Sequence, residues 1–183
     1  PSVTFTIPIS DDQVVELDET FSVTLGTPMG AVLDPTSAAA TVTIQDNDVA
    51  MLSIGDVSQL EGNSGSTTYL FTVTLNQAVD LGFTVPVTTS DISAISGEDY
   101  VALDTTVTFT GIASETQTVG VSALGDSMVE PDETFSVTLG AFESNGRNVT
   151  ILDGEGQGTI LNDDMASINI SPCLLYTSPS PRD

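Results

Sequence analysis

The chain has 183 residues, 26 of them Asp or Glu against 2 Lys or Arg, with no His and a formal charge of −24. That balance repels nucleic acid and anionic membrane surfaces, and it leaves no side chains for a Ser-His-Asp triad or a Schiff base. Disorder is excluded as well, because 39% of the residues are hydrophobic and they alternate with period two.

Taken in chain order, the strand signals are Ser2–Ile9, Thr20–Gly26, Ala39–Gln45, Thr67–Leu75, Phe83–Ser90, Thr105–Gly111, Thr116–Leu124 and Thr134–Phe142. In each, Val, Ile, Leu or Phe alternates with Thr or Ser, and Gly, Asp, Asn or Pro separates one run from the next. No helical period appears, and no apolar run reaches the ~18 residues of a membrane span. The pattern predicts an all-β, antiparallel immunoglobulin-like sandwich of about seven short strands. Asn145-Gly146 marks a tight turn after the last of these runs.

The end of the chain differs from everything before it. Cys173–Asp183 (CLLYTSPSPRD) contains the sole Cys and resembles the translation of a transposase-type sequencing-library adapter, so it is set aside from fold reasoning. Without it the chain has no Cys and a single basic residue, Arg147, and disulfide stapling is excluded. The chain starts at Pro1, which reads as a piece of a longer protein.

The segment DETFSVTLG stands at Asp18–Gly26 and again, letter for letter, at Asp132–Gly140. Ile44–Asp48 aligns with Ile160–Asp164, and Ala50–Ile54 aligns with Ala166–Ile170, with similar but not identical residues. The expected organisation is therefore tandem: the end of one repeat over residues 1–48, a complete repeat over 49–164, the first strand of a third over 165–172, and the adapter-like tail over 173–183. One repeat passes into the next with almost no linker.

Acidic residues crowd the same place in each repeat. Asp126, Glu130, Asp132 and Glu133 precede one strand, and Asp163 and Asp164 end the last. In an immunoglobulin-type sandwich those two places lie at one end of the molecule. Two carboxylates ~4 Å apart repel by about 4 kcal/mol at an effective dielectric near 20, so such a group must splay, take up protons or bind a cation. Oxygen ligands without His or Cys suit a hard ion, and a flexible loop cage suits Ca2+ better than Mg2+. A solvated acidic rim is the competing reading.

Four motifs in order resemble the Calx-beta domain, an immunoglobulin-like module of sodium–calcium exchangers and of many bacterial surface proteins. They are Leu60–Gly65 (LEGNSG), Ser96–Phe109 with its Gly-x-Asp-Tyr, the acidic run Asp126–Phe135, and Ile160–Asp164 (ILNDD). The resemblance implies Ca2+ ligands at Glu61, Asp99, Asp126, Glu130, Glu133, Asp163 and Asp164. In the partial first repeat the matching residues are Asp11, Asp12, Glu16, Glu19, Asp46 and Asp48, without counterparts of Glu61 and Asp99. Two departures predict fewer ions or weaker binding: Gly125 stands where the family has the first of two Asp, and Asn162 opens its terminal acidic triplet. Asp18 and Asp132 are weaker candidates, because the adjacent glutamates carry the family's ligand role.

Other motifs are decoys. Asp153–Asp164 mimics an EF-hand loop but ends in Asp and is flanked by strand patterns. Asn148–Thr150 fits a glycosylation sequon, which matters only in a eukaryotic secretory pathway. A sandwich repeat offers no deep cleft for substrate, so no enzyme activity is expected. The expected role is a calcium-binding structural repeat in the stalk of an extracellular or cell-surface bacterial adhesin, monomeric as a fragment. Its partners are then the neighbouring repeats, and any host or cell-surface ligand belongs to a domain outside this chain. The alternatives are a Ca2+-sensing regulatory module of a membrane transporter, or a non-calcium immunoglobulin-like spacer or accessory module of a secreted enzyme.

Overall fold

Period-two alternation is turned directly into two facing sheets in the computed structural model, which describes residues 2–172. Strand β6 (Gly65–Leu75) turns Tyr69, Phe71, Val73 and Leu75 inward and Leu70 outward. It sits between β10 (Thr116–Gly125) and β4 (Ala50–Ile54), and β12 (Val149–Asp153) completes that sheet in the order β10-β6-β4-β12. The facing sheet has the order β5-β13-β11-β8-β9. Its strands are β5 (Val57–Leu60), β13 (Glu155–Leu161), β11 (Glu133–Leu139), β8 (Phe83–Asp91) and β9 (Asp104–Phe109). This is the immunoglobulin-like sandwich that the alternation predicts. No helix occurs among the described residues.

The core lies between the sheets. Leu52, Phe71 and Val121 come from one side, and Val85, Val87, Phe109, Phe135 and Val137 from the other. Each such side chain contributes roughly 1.5–3 kcal/mol by leaving water. Phe135, in the second DETFSVTLG segment, is the hub: its ring stacks on Tyr100 at 4.5 Å and meets Tyr69 at 6.0 Å and Phe71 at 5.9 Å. Opposite Phe135 in the ladder stands Gly158, where a Cβ would overlap the Phe135 ring.

The first and last strands of the sandwich are each broken in two. The chain changes sheets at Gly55-Asp56, between β4 and β5, and again at Gly154, between β12 and β13. As a result β4 runs parallel to β12 and β5 parallel to β13. The Asn-Gly turn forms as expected, with Asn145 and Gly146 both at positive φ. Asp153–Asp164, the EF-hand mimic, lies in and around strand β13.

Outside the sandwich, β2 (Glu19–Thr24) and β3 (Ala39–Ile44) form an antiparallel hairpin. The expected strand over Ser2–Ile9 does not form. Its counterpart in the sandwich, β10, is held by β6, and residues 2–48 contain no equivalent of β6. Phe5, Ile7 and Ile9 instead line an open apolar face with Phe21, Val23 and Val42. Ala166–Ile170, expected as a first strand, is also not a strand: Ile168 and Ile170 stand fully open to water. Its counterpart β4 is a strand because β6 and β12 flank it. The adapter-like segment, Cys173 included, lies outside the described residues.

Hairpin and sandwich are joined at a short parallel pairing. β1 (Val14–Val15) lies parallel to β7 (Ala78–Val79), and the Asp80 N–H donates to the Val15 carbonyl at 2.9 Å. Val15 is fully buried and counts among the core residues of the sandwich.

Candidate metal centre

Three elements deliver acids to one end of the sandwich. Glu61 follows β5, and Glu133 opens β11 behind the turn that holds Asp126 and Glu130. Asp163 and Asp164 follow β13. Because β13 pairs with both β5 and β11, the start of one strand and the ends of the other two coincide. Glu61, Asp163 and Asp164 each present a carboxylate oxygen, and these oxygens lie within 4.8 Å of one another. Glu61 is 6% and Asp164 9% exposed.

Backbone donors set the geometry. The Gly62 N–H donates to Asp163 Oδ1 at 3.2 Å, and Asn63 Nδ2 donates to Asp164 Oδ1. Asp164 Oδ2 is buried with no hydrogen-bond partner. Asp126 Oδ1 accepts the Met128 N–H at 2.6 Å, closing the turn before β11. Asp99 Oδ2 accepts the Ile95 N–H at 2.7 Å, in a turn where Gly97 takes φ +92°. The Gly-x-Asp-Tyr segment is thereby explained. Gly97 permits the turn, Asp99 closes it, and buried Tyr100 anchors it on Phe135 while donating its hydroxyl to Asp91 Oδ1 at 2.5 Å. Burial and the Asp91 carboxylate push the Tyr100 hydroxyl up to about 12, and the same hydrogen bond holds Asp91 below the usual carboxylate range.

The electrostatics tie the seven expected positions together. Burial raises the Glu61 carboxyl, and the charges of Asp126, Glu130, Asp164 and Asp163 raise it further. Glu133 is pushed up to about 7 by burial, by a hydrogen bond and charge from Asp99, and by the charges of Glu130 and Glu61. For Glu61, Asp163 and Asp164, whose oxygens lie within 4.8 Å of one another, two like charges at that distance repel by roughly 3–4 kcal/mol at an effective dielectric near 20. Glu115, at a loop elsewhere, shows the opposite balance. Burial works to raise its carboxyl, but the N–H groups of Thr110, Ile112 and Gly111 and the Thr110 hydroxyl outweigh it and hold the pKa low.

Among the described residues no basic side chain offsets the cluster. The sole basic side chain among the described residues, Arg147, is buried and pairs with Asp80 at 3.2 Å, at the joint with the hairpin.

Two contributors are invisible in the motif. Asn162, read as a lost carboxylate, accepts the Glu130 N–H at 3.2 Å and donates from Nδ2 to the Asp164 carbonyl at 3.3 Å. It ties the turn before β11 to the chain leaving β13. Asn63 holds Asp164. The one sequence cue for each was its place beside an acidic motif. Gly125 also gains a reason: a Cβ there would overlap the Gly62 carbonyl, so this backbone excludes the Asp of the fuller family pattern.

In the hairpin, Asp11, Asp12, Glu16, Glu19, Asp46 and Asp48 line one open cleft of about 290 Å³. The Glu16 carboxyl is raised by partial burial and by Asp12, Glu19, Asp80 and Asp46. Asp48 is raised by partial burial and by Asp46, Asp11 and Asp12. Asp80 belongs to the sandwich, so the next repeat adds an acid to this group.

The Calx-beta domain model matches residues 2–48 and 54–167. No curated protein matches the sequence. Among solved structures, the apo-form Calx CBD1 domain matches at 20% identity and TM-score 0.56, over 64% of this chain and 100% of that one. The calcium binding domain CBD12 of CALX1.1 matches at 21% identity and TM-score 0.53, over 62% of this chain and 44% of that one. The Calx CBD2 domain matches at 13% identity and TM-score 0.53, over 62% and 86%. At these identities the structural matches carry the fold, and the domain model carries the membership. With two separate stretches of sequence matched to one model and a sandwich of the same kind built from the longer of them, the chain belongs to the Calx-beta domain family.

Proposed function

We propose that the acidic end of residues 49–164 is a Ca2+ site, and that the chain is a length of tandem repeats from the stalk of an extracellular, adhesin-like bacterial protein. The observation that carries the calcium reading is Asp164 Oδ2, buried without a partner in a cluster of oxygens within 4.8 Å of one another. A buried, unpartnered carboxylate oxygen is costly, and a hard cation satisfies it.

The donor set fits such an ion. Glu61, Asp163 and Asp164 would hold it, with Asp99, Asp126, Glu130 and Glu133 around them. The ligands are oxygens throughout, and among the described residues no imidazole, thiolate or basic side chain stands in the cluster. Asp11, Asp12, Glu16, Glu19, Asp46 and Asp48 form the matching, partial group in the preceding repeat. A bound Ca2+ supplies charge neutralisation, which relieves the repulsion that these residues impose on one another. At a hundredfold excess over its dissociation constant each site adds about 2.7 kcal/mol to the folded state. The reading gives the site no catalytic role.

Two observations favour a stalk. One repeat passes into the next with Val49 alone between Asp48 and β4, and the acidic group of the hairpin faces the repeat that follows it. Neutralising that group stiffens the joint. A relative described as a calcium binding domain supports the ion but not the stalk, since a sensor would carry the same ion site. Further repeats on both sides in the full reading frame support the stalk; an adjoining ion-transport or catalytic segment overturns it.

The calcium reading is tested by thermal unfolding of the full chain in chelator, Ca2+ and Mg2+. The expected result is a Ca2+-specific rise in midpoint that Glu130→Gln with Glu133→Gln abolishes. Equal midpoints in all three buffers overturn the calcium reading.

A further inference from the structure

Val14-Val15 and Met128-Val129 occupy the same place in two repeats, four residues before the shared DETFSVTLG segment. Their local structure is the same as well. Asp12 Oδ1 accepts the Val14 N–H at 2.9 Å, and Asp126 Oδ1 accepts the Met128 N–H at 2.6 Å. Their surroundings differ completely. Val15 is fully buried against the following repeat, whereas Met128 is 61% and Val129 53% exposed.

The occupied copy shows what the apolar pair is for. Val14–Val15 adds a two-residue parallel strand to the β7 edge, Val15 enters the sandwich core, and the Asp80 N–H caps its carbonyl. The turn before β12 closes over the same spot: a Cβ on Gly146 would lie 3.2 Å from the Leu17 side chain, and Asn148 Nδ2 donates to the Asp48 carbonyl at 3.3 Å. Buried Arg147, paired with the half-exposed Asp80, stands beside this seat.

We propose that Met128–Val129 is the docking strand for a further Calx-beta repeat following Asp164, which receives it along an edge built like β7. The occupant follows from the chain itself. Ala166–Ile170 aligns with β4, sharing its first Ala and last Ile, and Met165 alone separates it from Asp164, as Val49 alone separates β4 from Asp48. A connection that short places the next repeat against the turn that displays Met128 and Val129. The turn is preformed by Asp126, so docking needs little ordering of the strand. The seating itself uses apolar contact and backbone hydrogen bonds, so docking forms without calcium, and the ion of the proposed function only stiffens a joint already made.

Thiol labelling in chelator tests this independently of the ion site. Two chains are compared: the full chain with Cys173→Ser, and the same chain continued past Asp164 by a second copy of residues 49–172. Val129→Cys is expected to label readily in the first and at least about tenfold more slowly in the second, because labelling there requires the joint to open. Val15→Cys, slow in both chains, reports that the existing joint is intact. Leu152→Cys, on an open face of β12, is fast in both and reports that the reagent has access. Equal labelling of Val129→Cys in the two chains, with both controls in order, overturns the proposal.

Discussion

The Asp132 carboxylate accepts the backbone N–H of Asn162 at 3.1 Å, and Asp18 accepts that of Asp46 at the same distance. The first Asp of the DET motif therefore latches the start of one strand to the end of its neighbour in both repeats. This gives it a structural reason to recur. Asp132→Ala is expected to cost about 1 kcal/mol. Asp132→Asn, which keeps an acceptor oxygen, should stay within about 0.5 kcal/mol of the parent. Urea unfolding midpoints in chelator separate the two.

Crowding of carboxylates has a pH signature with a definite sign. Glu133 titrates near about 7 in the folded chain, and Glu61 is also raised. In the unfolded chain both titrate near about 4.3. Between these values the folded state holds protons that the unfolded state has released, so folding stability falls as pH rises. In chelator the protein is expected to be more stable at pH 5 than at pH 8, by urea midpoint, and Ca2+ should flatten that slope. A rise in stability from pH 5 to pH 8 in chelator contradicts the crowded geometry.

Glu61→Gln should reverse its effect with buffer. Without metal it removes one charge from a repelling cluster and raises the unfolding midpoint. With Ca2+ it removes a ligand and lowers the midpoint relative to the parent. Calorimetry in the two buffers reads both signs. Lowering in both identifies Glu61 as a packing residue alone.

Two glycines should resist substitution for different reasons. Gly158→Ala puts a methyl into the Phe135 ring and is expected to cost on the order of 1–3 kcal/mol by overpacking. Gly125→Asp recreates the fuller family pattern in sequence, yet its Cβ meets the Gly62 carbonyl. It should lower stability in chelator by a similar amount, on the order of 1–3 kcal/mol, and yield no gain in Ca2+ affinity by titration calorimetry.

Five sandwich strands, β6 and β8 to β11, were legible because each buries one face, and alternation records that choice residue by residue. The breaks at Gly55-Asp56 and Gly154 were not, since moving from one sheet to the other preserves the alternation on either side. Ser2–Ile9 carries a full strand pattern without forming a strand. Pattern states which face a segment can bury, but a ladder needs a partner, and no partner lies beside it among the described residues. β1 and β7 were invisible for the opposite reason, being two residues long with their meaning entirely in the joint. At the acidic end, carboxylates announce themselves by type and repetition. Asn63 and Asn162 act through amide hydrogen bonds that only proximity reveals.

Because β5 runs parallel to β13 and β4 parallel to β12, the chain enters each repeat at one end and leaves at the other. Tension applied along the chain then slides these paired strands lengthwise and strains their hydrogen bonds together, instead of unzipping them one after another. Forced opening is governed by the unfolding rate, and a repeat loaded in shear has no weak first bond to give way. In the stalk proposed above, repeats of this build would hold their length under pull by the order of their strands, before any ion is bound.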